Sequence, residues 1–327
     1  MKVRAVEALA RAIYEAMERN AEIILLGDGF GGLSPVAREA FRPVWDKFGD
    51  RVMTVSISEL GLAGAGTGAA LAGCRPLVDL STGSFIFQAW PQVVNEAPNF
   101  YYMTGGQSCV PVTFYSLAGI RGAGAAQHSH ATHGMLGNVP GLRVLVPATA
   151  QDFYDLMMWC LLESQDPSVF LSHALLLLEE GELQTDVWNP PGRAAVLREG
   201  MDVTLVGMSV TVLRCLKAAE MLRERGVSAE VVNLRSVVPL DVETLLGSAR
   251  RTGRVVIADE CHRTFGAGAE IAATIAEKAW RELKAPPVRV ATADVPIPFS
   301  PPLEERVIVT AERVVEAALE LCEGRRS

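Results

Sequence analysis

Residues 51–80 read RVMTVSISELGLAGAGTGAALAGCRPLVDL, and this stretch decides the fold class. The apolar, β-branched run at 51–56 predicts a strand, the small residues at 62–73 predict a helix, and PLVDL at 76–80 predicts a second strand. Strands that are apolar on both faces and separated by helices are typical of a parallel sheet covered on both sides. The stretch therefore predicts a β–α–β unit of an α/β protein.

The same alternation extends in both directions from this unit. Strands are predicted at 23–27, 110–116, 142–147 and 168–172, and helices near 35–47, at 85–96 with Pro98 as its end, and at 152–164. A polar stretch with a Pro-Pro pair, GELQTDVWNPPGR (181–193), predicts a linker, after which the alternation restarts. We predict two parallel or mixed sheets covered by helices, in a first domain over 1–180, a linker over 181–197 and a smaller domain over 198–327.

Composition narrows the function classes. The formal net charge of −8 disfavours nucleic acid or an anionic membrane as the main partner, since both require a basic face. The six cysteines are scattered without a C-x-x-C pair, which predicts reduced thiols rather than a disulfide framework or a zinc site. The first twenty residues read as an amphipathic helix with acidic residues, and no apolar run is long enough to span a bilayer. We expect a soluble, cytoplasmic protein.

A glycine run within the opening stretch has two interpretations. Gly64-Ala65-Gly66-Thr67-Gly68-Ala69 fits the loose dinucleotide pattern G-x-G-x-x-G/A, and Asp79 follows near the place of a ribose-binding acid. In a dinucleotide site the first glycine turns the chain directly after the strand, whereas here Ser58, Glu59 and Leu60 intervene. Small residues on a helix that packs closely against a sheet are the favoured interpretation, and nicotinamide binding is the alternative.

Glu59 is the stronger candidate for a ligand-binding residue in this stretch. It follows the strand at 51–56, at the end of a parallel sheet where ligands bind. Because Ile57 and Leu60 flank it, we expect its carboxyl group to be partly desolvated, with a raised pKa, and able to share a proton with a ligand nitrogen. The alternative is that Glu59 caps the helix that follows.

Three of the five histidines cluster in AGIRGAGAAQHSHATHG (118–134). The spacing H-x-H-x-x-H is compatible with a metal site, but no carboxylate or cysteine is near in the sequence. A loop histidine that titrates near neutral pH suits proton transfer or an anionic substrate better. We assign that role to His128 and expect His130 and His133 to be solvated.

Several segments occur in one order along the chain: SISELGLAGAGTGAALAGCRPLVDL, SFIFQAWPQVVNEA, YYMTGG, AAQHSH, PGLRVLVPATAQD, TFGAGAE and ADVPIPF. This ordered set resembles the beta subunits of the thiamine-diphosphate-dependent 2-oxo acid dehydrogenases, the group that contains the pyruvate, branched-chain and acetoin dehydrogenases. The resemblance spans nearly the whole chain. It implies a pyrimidine-binding domain of the transketolase superfamily followed by a transketolase-type C-terminal domain.

The resemblance implies roles for individual residues. Glu59 would hydrogen-bond N1′ of the aminopyrimidine of thiamine diphosphate and favour the tautomer that removes the thiazolium C2 proton. Phe85 would stack on the pyrimidine, Gln88 would face the same cleft, and Ile57 would lie beside the ring through its backbone. His128 would lie near the substrate carboxylate and act during acyl transfer to lipoyl.

A second glycine motif lies in IILLGDGFGG (23–32). It could bind a metal-bound diphosphate, or it could be an ordinary connection from a strand to a loop. In the family the alpha subunit holds the diphosphate and Mg²⁺ through Gly-Asp-Gly and an asparagine 25–30 residues later, and the corresponding window here, RVMTVSISEL, has no asparagine. The resemblance therefore implies that Asp28 lies on the pyrimidine side of the cleft. Relatives usually carry glutamate there, so Asp28 is a cofactor-side candidate with a shorter reach.

The resemblance also implies partners. An alpha subunit, a second beta subunit in an α₂β₂ assembly and a lipoyl acyltransferase component are expected, and Mg²⁺ is expected to be held by the alpha subunit. Val112 and the turn that begins at Glu163 resemble a region where some relatives bind K⁺ through backbone carbonyls.

Several residues depart from the family pattern. Pro91 and Pro98 occupy positions that usually favour a helix, Ser81 is smaller than the usual residue, and His130 replaces a frequent glutamine. These departures point to an altered substrate preference or to a divergent subgroup whose substrate differs from pyruvate. The rivals are the C-terminal half of a split transketolase, a nicotinamide-dependent oxidoreductase and a non-catalytic assembly subunit.

Overall fold

A computed structural model describes residues 1–27 and 34–324. The strands of these residues are β1 (Lys2–Arg4), β2 (Ile23–Leu26), β3 (Val52–Met53), β4 (Arg75–Thr82), β5 (Thr113–Ala118), β6 (Arg143–Leu145), β7 (Ser168–His173), β8 (Glu180–Glu182), β9 (Ala195–Arg198), β10 (Val203–Gly207), β11 (Ala229–Asn233), β12 (Ser236–Val238), β13 (Val255–His262) and β14 (Val288–Thr292). The α-helices are α1 (Ala5–Arg19), α2 (Pro35–Phe48), α3 (Glu59–Leu71), α4 (Ala97–Met103), α5 (His133–Leu136), α6 (Ala150–Leu162), α7 (Thr211–Arg223), α8 (Val242–Thr252), α9 (Ala267–Ala279), α10 (Pro301–Val307) and α11 (Ala311–Cys322).

The chain divides into two units. The first contains residues 1–118 and 136–191, and the second contains residues 119–135 together with the chain from 192 onward. The assignment of 119–135 to the second unit is not anticipated by a division of the chain at a single linker. This segment carries the clustered histidines, so they belong to the second unit although they precede part of the first in sequence.

A parallel sheet forms the centre of the first unit, with strand order β6-β7-β5-β4-β2-β3. Every residue of β5 and β7 is buried, as expected for strands covered on both faces. The apolar face of α1 packs against α6. The second unit has the order β14-β13-β10-β11-β9, parallel except for the antiparallel edge strand β9. These sheets confirm the predicted α/β fold class.

Short strands overlap both ends of the predicted linker: β8 reaches Glu182 and pairs in antiparallel register with β1, and β9 begins at Ala195. The prediction that Pro98 ends a helix is wrong. A π-helical segment, Pro91–Glu96, precedes it and the amide of Ala97 bonds to the carbonyl of Gln92, so Pro98 falls in the first turn of α4. The helical stretch therefore continues through Pro98, which lies where the π-helical hydrogen bonding gives way to that of α4.

Helix α3 packs against β4 through one glycine. A Cβ at Gly66 would lie 2.3 Å from Cγ2 of Val78, whereas one at Gly68 would meet nothing within 4 Å. The whole glycine run lies inside α3, and Asp79 is buried within β4 with its Oδ1 accepting the amide of Ser81 at 2.7 Å. The structure therefore supports the close-packing interpretation of the glycines over the dinucleotide one. No helix in the described ranges is long and apolar enough to cross a membrane.

The two glycines make a matched pair of alanine substitutions. Gly66→Ala should lower the free energy of unfolding by about 1–3 kcal/mol, because the added methyl overpacks the contact with Val78. Gly68→Ala should raise it by about 0.5–1 kcal/mol, because alanine favours an exposed helix position. Urea unfolding of the purified chain measures both. Equal midpoints for the two variants would contradict the packing assignment.

Candidate active site

Glu59 is the first residue of α3, and Ser58 rather than Glu59 caps that helix. The Ser58 hydroxyl accepts the amide of Gly61 at 3.3 Å, and Ser58 has the extended backbone of a cap residue. Glu59 is half-buried, and within the described ranges no group donates a hydrogen bond to its carboxylate. Ser58 therefore has the capping role considered for Glu59, and the Glu59 carboxylate is available to a ligand.

The apolar surroundings expected for Glu59 are present but open to solvent. The side chain of Ile57 is 87% exposed, and those of Leu60 and Val55 are 48% and 45% exposed. Exposed apolar groups of this size next to a carboxylate lower the local polarity only when another molecule covers them. The desolvation predicted for Glu59 thus requires a contribution from outside the first unit.

Phe85 follows β4 through a bulge. The pairing of β4 with β5 changes register between Asp79 and Thr82, and Ser81 takes a left-handed backbone with φ +59°. A short 3₁₀ turn, Gly83–Phe87, then carries the half-buried Phe85, and Gln88 follows it in an exposed position. A Cβ at Gly83 would lie 2.7 Å from Cα of Ala118, so only glycine lets the turn pass the end of β5.

The sheet brings the predicted pyrimidine-side residues to one edge. β3 and β4 both pair in parallel with β2, so their carboxyl ends lie on the same side of the sheet. Ile57 and Glu59 follow β3, while Phe85 and Gln88 follow β4. Asp28, predicted at the end of β2, lies outside the described residues.

His128 lies in the second unit, half-buried at the end of a 3₁₀ turn, Ala126–His128. His130 is also half-buried, and burial followed by the nearby His262 lowers its pKa. His133 is only 4% exposed, and its Nε2 lies 2.8 Å from Oδ1 of Asp259 and 3.1 Å from Sγ of Cys261. The prediction that His133 is a solvated loop histidine is wrong, because the fold places a carboxylate and a thiol from β13 beside it.

Electrostatic interactions link the ionisation of His133, Asp259 and Cys261. Burial alone would disfavour the imidazolium, yet the charges that Cys261 and Asp259 can carry raise the pKa of His133 well above its usual range. Burial likewise opposes ionisation of Asp259, but His133 and two backbone amides hold the pKa of that carboxyl below its usual range. Burial raises the pKa of the Cys261 thiol.

Consecutive residues of β13 anchor the segment that carries His128. Asp259 contacts His133, Glu260 accepts the amide of Ile120 at 3.3 Å, and Cys261 Sγ lies 3.3 Å from the carbonyl of Ala131. Each contact joins a different point of 119–135 to one strand. The residues of β13 carried no functional signal in the sequence, and only their pairing with the histidine segment reveals them.

The potassium prediction concerns carbonyls around α6. The carbonyl of Val112 accepts the amide of Ser168 at 2.9 Å, and that of Glu163 accepts the side-chain amide of Gln165 at 3.4 Å. Buried Arg75 already supplies a positive charge at the C-terminal end of α6. Its guanidinium donates to three carbonyls there, those of Leu161 (2.5 Å), Ser164 (2.6 Å) and Cys160 (3.3 Å). Potassium binding stays a prediction.

Comparisons with known proteins match both halves of the chain. The model of the transketolase pyrimidine-binding domain matches residues 1–178, and that of the transketolase C-terminal domain matches residues 192–314. The pyruvate dehydrogenase E1 component subunit beta of Pisum sativum is 38% identical over 322 residues, 97% of this chain and 89% of that protein. The beta subunit of the acetoin:2,6-dichlorophenolindophenol oxidoreductase of Bacillus subtilis is 34% identical, covering 96% of both chains.

A solved structure described as a split gene transketolase, an inactive beta4 tetramer, superposes with a TM-score of 0.81 at 27% identity over 99% of both chains. The match extends through both domains, and the identity to the dehydrogenase subunits is higher than to this transketolase. From the matched domains and the coverage of these relatives, the chain belongs to the family of the beta subunits of the pyruvate and acetoin dehydrogenases, built from a transketolase-type pyrimidine-binding domain and a transketolase C-terminal domain.

Proposed function

We propose that this chain is the beta subunit of a heterotetrameric 2-oxo acid dehydrogenase and supplies the aminopyrimidine half of a thiamine diphosphate site. The observation that carries the proposal is the environment of Glu59. Its half-buried carboxylate has no donor within the described ranges, stands at the carboxyl edge of a parallel sheet and is flanked by exposed apolar side chains. A flat, apolar ring with one basic nitrogen fits this setting.

Glu59 and the residues around it would each have a separate role in binding the cofactor. Thiamine diphosphate supplies the carbon that attacks the 2-oxo group and carries the charge left by decarboxylation. Glu59 would share a proton with N1′ of the aminopyrimidine, and this exchange becomes effective when the carboxylate is shielded from water. Phe85 would cover one face of the ring, and Ile57 would lie beside it through its backbone. Gln88, which is exposed, would face the same cleft.

His128 would act on the substrate side. A half-buried imidazole on a segment anchored to β13 can hold a proton near a carboxylate. We assign it to the substrate carboxylate and to acyl transfer to a lipoyl group. The substrates in this proposal are pyruvate-like or branched-chain 2-oxo acids, with lipoyl acyltransferase as the acceptor component and the cytoplasm as the compartment.

An alpha subunit completes the proposed site. The exposed side chains of Ile57, Leu60 and Val55 need a cover, and the chain has no full diphosphate motif. We propose that the alpha subunit supplies both the cover and the Mg²⁺-diphosphate clamp, in an α₂β₂ assembly. The related split transketolase is described as inactive when its beta chain forms a tetramer, and this parallel supports the need for a second chain.

A split transketolase is the second candidate function. The TM-score of 0.81 over nearly the whole chain favours it, while the identities of 34–38% to dehydrogenase subunits favour the first. The two activities use different substrates. A reconstituted enzyme that transfers two-carbon units between sugar phosphates, and leaves 2-oxo acids unchanged, would support the transketolase.

The first prediction concerns the isolated chain. Alone, with thiamine diphosphate and Mg²⁺, it should show no decarboxylation of 2-oxo acids, because half of the cofactor's contacts are missing. Addition of the cognate alpha subunit should produce activity with a one-to-one stoichiometry, measured by reduction of an artificial electron acceptor. Full activity of the chain alone would contradict the proposal.

The second prediction concerns the acid that shares the proton. Glu59→Gln should lower kcat of the reconstituted enzyme by about 100-fold or more, since an amide cannot exchange a proton with N1′. The subunits should still assemble, because the exposed apolar surface around Glu59 is unchanged. Deuterium exchange at the thiazolium C2, followed by NMR, measures the affected step directly.

A matched control separates catalysis from helix stabilisation. Glu243 is likewise an acid in the first turn of a helix, two residues after the capping residue Asp241, and is exposed. Glu243→Gln removes the same favourable interaction with a helix N-terminus and should leave kcat unchanged. Equal losses in the two variants, or normal C2 exchange in Glu59→Gln, would refute the role of Glu59.

A further inference from the structure

Three donor atoms of different chemistry converge inside the second unit. His133 Nε2, Asp259 Oδ1 and Cys261 Sγ all lie within 4.8 Å of one another, and the three residues are buried. The single nitrogen lies 2.8 Å from the oxygen and 3.1 Å from the sulfur. The nitrogen thus lies within hydrogen-bond distance of both the oxygen and the sulfur.

We propose that His133 Nε2, Asp259 Oδ1 and Cys261 Sγ form a binding site for one divalent transition-metal ion of the Zn²⁺ type. Imidazole nitrogen, carboxylate oxygen and thiolate sulfur are the ligands that Zn²⁺ takes in proteins. With usual bond lengths, a tetrahedral ion would separate nitrogen from oxygen by about 3.4 Å and nitrogen from sulfur by about 3.6 Å. The nitrogen therefore needs to move about half an ångström away from each of the other two atoms, while the oxygen and the sulfur, which lie within 4.8 Å of each other, would settle at about 3.6 Å.

Charge balance allows the exchange of protons for an ion. An imidazolium, a carboxylate and a neutral thiol together carry no net charge. A divalent cation with a neutral imidazole, a carboxylate and a thiolate also carries none, so the buried net charge stays the same. An uncompensated charge in this interior would be costly, and here neither state leaves one. Binding should then release protons, because the imidazole and the thiolate bind the ion in their deprotonated forms.

The surrounding backbone orients two of the three ligands. The amide of Cys261 donates to Oδ1 of Asp259 at 2.9 Å, and that of Gly268 donates to Oδ2 at 2.7 Å. A hydrogen bond from the backbone amide of Ala267 to the Cys261 sulfur favours the thiolate and so opposes the effect of burial on the pKa of that thiol. Groups that hold a ligand from behind in this way fix its direction and raise metal affinity. Thr132, which precedes His133 in the sequence, is fully buried, and its hydroxyl has no hydrogen-bond partner within the described ranges.

An ion at this point would tie two distant parts of the second unit. His133 closes the segment 119–135, and Asp259 and Cys261 belong to β13. His128 lies five residues before His133 on the same segment. The site would thus act as a clamp on the segment that carries His128, outside any role in binding thiamine diphosphate.

Cobalt is the probe for this site, because Co²⁺ replaces Zn²⁺ and absorbs visibly. The full chain is freed of metal with a chelator and then treated with Co²⁺ by direct addition and by refolding in its presence, since the site is buried. We expect one ion per chain, a thiolate-to-cobalt charge-transfer band, d–d bands of a tetrahedral site and a raised unfolding temperature. Calorimetry in buffers of different ionisation enthalpy should report a release of protons when the ion binds.

Two cysteine variants are compared. Cys261→Ser should lose the charge-transfer band, whereas Cys215→Ser should keep it, because Cys215 is equally buried in the same unit but lies outside the cluster. A band that survives in Cys261→Ser would overturn the proposal, and so would correctly refolded wild-type chain that shows no band by either route. If Cys261→Ser does not fold, the wild-type band and proton release decide alone, and binding without a thiolate band or proton release refutes the site.

Discussion

The parallel pairing of buried strands is the constraint on which the rest of the structure depends. Strands covered by helices on both faces can pair in parallel, and their carboxyl ends then open on one edge of the sheet. In the first unit this edge receives Glu59 after β3 and Phe85 after β4. The approach of α3 to the sheet in turn requires Gly66, because any side chain there would collide with Val78. A packing requirement at one glycine thus holds in place the helix that begins with the proposed proton-sharing acid.

The first unit alone does not shield its proposed site from solvent. Glu59 stands among apolar side chains, but Ile57 and Leu60 are open to solvent in this chain. A carboxylate that must share a proton needs those side chains covered, and the cover has to come from another molecule. The same exposed surface that weakens the site in the isolated chain is the surface by which a partner would complete it. Assembly and catalysis are therefore expected to depend on the same few side chains.

Local pattern predicts much of this fold and little of its long-range contacts. The alternation of apolar strands and helices was sufficient to predict the two α/β sheets, because a strand buried on both faces is apolar along its whole length. Pro98 misled the helix prediction, since the π-helical turn before it depends on packing that no short window contains. β8 was missed because a three-residue strand is stabilised by its pairing with β1, far away in sequence.

The sequence by itself determined the fold class, the position of Glu59 after a strand and, through the order of its motifs, the family. Each of these depends on neighbouring residues or on linear order. Only the tertiary structure decided the surroundings of His133. The scattered cysteines argued against a metal site, yet folding brings Cys261 and Asp259 to a histidine more than a hundred residues away. Contacts of this kind follow from strand pairing and burial, and the spacing of residues along the sequence does not predict them.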